Sequence, residues 1–101
     1  MYIYNITTLV DPAVFEQWLP WMQEVHIPAV MATGCFLRYQ FVRLLEVDES
    51  HGLTFATQLY AGDRGACDHF ATAFEPTLER ESQRLWGDKC LSFRTLMEVM
   101  H

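Results

Sequence analysis

Four stretches of the chain alternate with the two-residue period of a strand, two repeat with the period of a helix, and their order is strand, helix, strand, strand, helix, strand. Residues 2–10 place Tyr2, Tyr4, Ile6, Thr8 and Val10 on one face and Ile3, Asn5, Thr7 and Leu9 on the other, in a β-branched and aromatic composition that suits a strand. Asp11-Pro12 then supplies a capping residue and a proline at the first helical position. Phe15, Trp18, Leu19, Met22 and Val25/His26 follow at three- and four-residue spacings, which predicts a helix over 12–26. Pro20 is expected to kink that helix, and Pro28 to end or redirect it before Gly34.

Residues 35–47 and 53–61 are β-type runs joined by the polar turn Asp48-Glu49-Ser50-His51-Gly52, the pattern of a hairpin. Asp63 can cap a second helix over 64–85, in which Ala66, Phe70, Phe74, Leu78 and Leu85 form a stripe, Pro76 introduces a kink or split and Gly87 stops the helix. From Leu91 to Met100 a last alternating run makes a fourth strand. The expected fold is therefore α+β: one ferredoxin-like βαββαβ domain spanning 1–101, with a four-stranded antiparallel sheet and two crossover helices on one face.

One sheet face is left without helices. On the fourth strand the Leu91/Phe93/Met97/Val99 set is wholly apolar and is expected to meet the helices, which would leave Ser92, Arg94, Leu96 and Glu98 on the open face. That face would also carry Asn5 and Thr7, then Phe36, Arg38, Gln40, Val42 and Leu44, then Gln58 and Tyr60. So mixed a surface is too apolar for free solvent and is best explained by a covering partner, most simply a second copy about a two-fold axis.

Half of the residues are hydrophobic, enough for a single core, and 13 acidic against 7 basic residues give a net charge of −6. With no Lys/Arg cluster there is no surface suited to nucleic acid or to anionic membranes. No apolar run exceeds four residues, and the first ten residues lack a basic, uniformly apolar leader, so a cytoplasmic location is expected. Three cysteines, Cys35, Cys67 and Cys90, have neither the count of a disulfide framework nor the spacing of a zinc site. They read as small apolar residues. No metal site, phosphate loop or haem signature is present, and no cofactor is expected.

The segment Trp18-Leu19-Pro20-Trp21-Met22-Gln23-Glu24-Val25-His26-Ile27-Pro28, the Ala32-Thr33-Gly34-Cys35-Phe36 after it and the closing Phe93-Arg94-Thr95-Leu96-Met97-Glu98-Val99 resemble a small bacterial family classed as a domain of unknown function. That family is similar to the dimeric α/β-barrel superfamily, and the resemblance covers the chain from its opening strand to Val99. It implies the fold and a homodimer, and it transfers no catalytic residue.

Asn5, Arg38, Gln58, Tyr60 and Arg94 are expected to converge on the open face, where they could hold a small carboxylate or carbonyl ligand or else satisfy one another across a dimer interface. His26, near the predicted end of the first helix, is placed where the helix dipole would favour its cation; it is either a proton-transfer group or a cap on the last carbonyls. Three functions are open. The first is a ligand-binding or interaction module built on the open face. The second is a cofactor-independent enzyme similar to the oxygenases of the superfamily, which surround substrate with an Asn of the first strand and a Trp and His of the second helix; Asn5 matches in place, His69 only loosely, and no tryptophan lies between Trp21 and Trp86. The third is an isomerase-like enzyme with His26 or Tyr60 moving a proton and Arg94 as oxyanion partner.

Overall fold

A computed structural model describes residues 1–101. The strands are β1 (Tyr2–Val10), β2 (Arg38–Arg43), β3 (Leu53–Ala61) and β4 (Cys90–Glu98), arranged β2-β3-β1-β4 with every pairing antiparallel. The two crossovers are helical: α1 (Phe15–Trp21), a π-turn (Met22–His26) and α2 (Ile27–Ala32) in the first, α3 (Arg64–Ala73) and α4 (Glu75–Trp86) in the second. A 3₁₀ turn, Gly87–Lys89, leads into β4. This is the ferredoxin-like α+β fold that the order of periodicities predicts.

Paired residues of adjacent strands share a sheet face, so the register assigns every side chain. Tyr4, Val10, Phe55 and Leu59 lie in the core, and they fix the helix-covered face. Two clusters pack there: Tyr4, Val30, Phe36, Leu59, Ala61, Cys67 and Phe70 at one end, and Val10, Trp18, Met22, Ile27 and Phe55 at the other. Aromatic rings connect each, with Phe70 edge-on to Tyr4 at 5.6 Å and Trp18 against Phe55 at 5.1 Å.

Several boundaries differ from those the sequence predicts. The first helix runs past Pro28 to Ala32, because the π-turn absorbs the proline. Pro28 has no N–H for the Glu24 carbonyl and its ring would crowd that oxygen; the chain instead widens by one residue, and Ile27 N–H donates to Met22 O. The second helix is divided at Phe74, whose backbone leaves helical geometry two residues before Pro76. Strand β2 is confined to 38–43, and 44–52 form the hairpin loop, so Leu44 belongs to no strand. Gly52 closes that loop with φ at +145°, and a Cβ there would meet Val10 O at 2.5 Å. Phe36 lies before β2 and is buried in the helix-side cluster rather than on the open face.

The largest correction concerns β4. Tyr4 pairs with Leu96, Ile6 with Arg94 and Thr8 with Ser92, so Ser92, Arg94 and Leu96 share the helix-covered face with Tyr4, and Glu98, opposite Tyr2, does too. The apolar set Leu91, Phe93 and Met97 is on the uncovered face. Polarity misleads here because β4 is an edge strand: α4 meets it through charged side chains, and the apolar side faces outward without a partner.

Candidate functional site

Across the open face the register forms rows perpendicular to the strands. Met97, Ile3, Tyr60 and Arg38 make one; Thr95, Asn5, Gln58 and Gln40 the next; Phe93, Thr7, Ala56 and Val42 a third; Leu91, Leu9 and Thr54 a fourth. Uncharged amides and a hydroxyl thus cross the centre of a largely apolar surface. Phe93 is 66% exposed and Leu91 59%. Asn5 is 7% exposed; its Nδ2 donates to Thr7 Oγ1 at 3.0 Å, and its Oδ1 is buried without a donor. Tyr60 O–H donates to Gln40 Oε1 at 3.4 Å, and the Arg38 guanidinium lies 3.7 Å over the Tyr60 ring. Arg38 is the one charged residue in the four rows.

The sequence-nominated residues therefore separate into two groups. Asn5, Arg38, Gln58 and Tyr60 are together on the open face, as expected. Arg94 and His26 are on the helix side. Arg94 Nε lies 3.0 Å from Glu75 Oε1 and its Nη2 donates to Glu79 Oε1 at 2.8 Å, while Tyr4 O–H donates to Glu75 Oε1 at 2.8 Å. Glu75 is buried. Partial burial acts against the Arg94 charge, but Glu75, Tyr4 and Glu79 together hold its pKa above the usual arginine value. Burial and the hydrogen bond to Glu75 push the Tyr4 phenol well above the usual range, so it remains a donor. The positive charge anticipated on the open face is consumed by two carboxylates of α4.

His26 is half-buried within a continuous helical run and stacks on Trp21 at 4.8 Å. Because the helix continues to Ala32, the C-terminal dipole does not act on it, and burial lowers its pKa instead of raising it. It caps nothing, since the carbonyls it would have met are used within the π-turn and α2. Trp86 is edge-on to Trp21, and its buried Nε1 has no acceptor. His69 is exposed and packs on Phe74, on the opposite side of the sheet from Asn5, so the Asn and His of the oxygenase pattern do not meet.

Between the helices and the sheet lies a cleft of about 50 Å³ that the sequence did not reveal. Its apolar floor includes Trp18, Leu59 and Phe70, and polar groups enter from all sides: Thr8, Thr57 and Ser92 from the sheet, His26 from the π-turn, Glu75, Glu79 and Ser82 from α4. Thr8 and Ser92 join their hydroxyls at 2.9 Å. A wider hollow of about 240 Å³ beside Tyr2, Arg64, Leu96, Met97 and Glu98 has walls of only five residues and is a surface depression. No group of three or more His, Cys, Asp or Glu is gathered in metal-binding geometry, and no helix is long and apolar enough to cross a membrane.

Comparison with sequence families matches residues 1–100 to one described as a domain of unknown function, DUF4286. No curated protein matches the chain. Among solved structures, an ethyl tert-butyl ether D (EthD) family protein of Bacillus halodurans C-125 is 13% identical over 99% of this chain and 100% of that one, with a TM-score of 0.74. A dimeric ferredoxin-like protein from an uncultured marine organism is 13% identical over 99% and 97%, with a TM-score of 0.69. An antibiotic biosynthesis monooxygenase is 19% identical over the full length of both chains, with a TM-score of 0.66. These likenesses establish the fold.

Proposed function

The chain belongs to the DUF4286 family, a domain of unknown function, and from that premise we propose that it works as a homodimeric interaction module whose open sheet face receives a second copy of itself. The observation that carries this reading is the exposed apolar pair Leu91 and Phe93 on a sheet face that no helix covers. A second copy would bury both side chains. Amide side chains offer a donor and an acceptor each, so the row Thr95-Asn5-Gln58-Gln40 is complementary to itself when turned about a two-fold axis. Two chains of net charge −6 would repel through most of their surfaces, yet this face carries Arg38 alone and lets them approach. The description of one structural neighbour as a dimeric ferredoxin-like protein agrees with the reading.

Sedimentation equilibrium tests it. Wild-type protein is expected at twice 11.8 kDa, and Phe93→Asp at 11.8 kDa with an unchanged circular dichroism spectrum. A wild-type monomer at tens of micromolar, or a Phe93→Asp dimer, would overturn the proposal.

A further inference from the structure

We propose that the helix-side cleft binds a small organic amine, with its ammonium held by Glu75 and Glu79 and its carbon body laid against Trp18, Trp21 and Leu78. The site is independent of the dimer face, being on the other side of the sheet. Its sign of charge decides the ligand class. Glu75 and Glu79 contribute two negative charges, and Arg94, paired to both, returns one, so the cluster is left with a net −1. At neutral pH His26 adds nothing to this balance, because burial favours its neutral form. The titratable groups that line the cleft together with His26 are Glu75 and Glu79 from α4 and Cys90 from β4, with Tyr4 and Arg94 bonded to Glu75. Burial pushes the Cys90 thiol up to about 11, so it too is neutral. A carboxylate ligand would meet net repulsion, whereas an ammonium is attracted by the carboxylates and can rest its carbon body on the apolar lining.

Access and size follow from exposure. The Glu79 side chain is 53% exposed and marks the mouth, between α4 and the edge strand β4; Glu75, at 9%, is deeper, and Trp18 at the floor is 1% exposed. A volume of about 50 Å³ is far below the roughly 300–1,000 Å³ of pockets for drug-sized ligands, so the occupant is a small molecule, part of which remains in the mouth. The π-turn borders this site: Met22 and His26, its first and last residues, both line the cleft.

The test is an NMR titration of the full chain with three probes of one shape and different charge, benzylamine, benzyl alcohol and benzoate, at constant ionic strength and neutral pH. Benzylamine is expected to shift the Trp18 and Trp21 indole and His26 ring resonances, and benzoate to leave them in place. Glu79→Gln, a change at a half-exposed side chain, should weaken benzylamine about two- to fivefold, the range of a partly exposed ion pair, and leave benzyl alcohol unaltered. Glu24→Gln, an exposed acid outside the cleft, should change nothing. Equal response to benzoate, equal affinity for the alcohol, shifts located elsewhere, or no response to any probe would each overturn the assignment.

Discussion

Glu75 is the residue on which the helix side of the sheet depends most. It is buried, accepts the Tyr4 hydroxyl and lies against Arg94, so its removal leaves a phenol and a guanidinium without their partner. Arg94 is about half exposed and keeps Glu79, which moderates the loss. Glu75→Ala is therefore expected to cost about 1–3 kcal/mol in urea unfolding, and a double-mutant cycle with Arg94→Ala to show coupling between the two. His26 gives a pH signature of known sign. Its folded pKa lies below the unfolded value of 6.5, so as pH falls the unfolded chain takes up the proton first. Stability should decline as pH falls below about 6.5 and level off once the folded pKa is passed, and His26→Gln should remove that component of the pH profile. At this scale the sequence was informative about Asn5, Gln58 and Tyr60, which alternation and polarity together put on the open face. It failed for Arg94, because a charge on an edge strand can satisfy itself against a helix that is distant in the chain, and no local pattern records the presence of Glu75 and Glu79.

Elements obey a similar division between local and tertiary causes. Asp63 caps α3 by accepting from Ala66 N–H at 2.8 Å, as its position before the helical stripe predicts, and Asp63→Ala is expected to lower stability by about 1 kcal/mol. The four strands and the two crossovers were legible, since periodicity depends only on which side chains meet the core. Boundaries next to prolines were not. Pro28 can end a helix or be carried by a π-turn, and burial of Ile27 and Val30 favours continuation here, since stopping at His26 would expose both. Replacing Pro28 by Ala restores an N–H that can bond Glu24 O and should allow the π-turn to relax toward α-helix; the shift of Met22 and His26 resonances would report it.

For the whole molecule, the sheet has two unlike faces. The helix-covered face holds both hydrophobic clusters and the cleft, while the open face is weakly charged, apolar at Leu91 and Phe93 and polar at its centre. That one face carries no helices was legible from the sequence, because both crossovers of this fold pack on the same side of the sheet. Which β4 residues occupy it was not, since an outward apolar edge and a buried one have the same alternation. Self-association through this face predicts concentration-dependent thermal stability that Phe93→Asp abolishes. The most direct measurement is an isotope-filtered NOE experiment on a mixture of labelled and unlabelled protein. Cross-chain contacts are predicted from Phe93, Leu91 and the Asn5 row to residues of the same sheet face. Cross-chain contacts confined to α3 and α4, or none at all, would contradict the account.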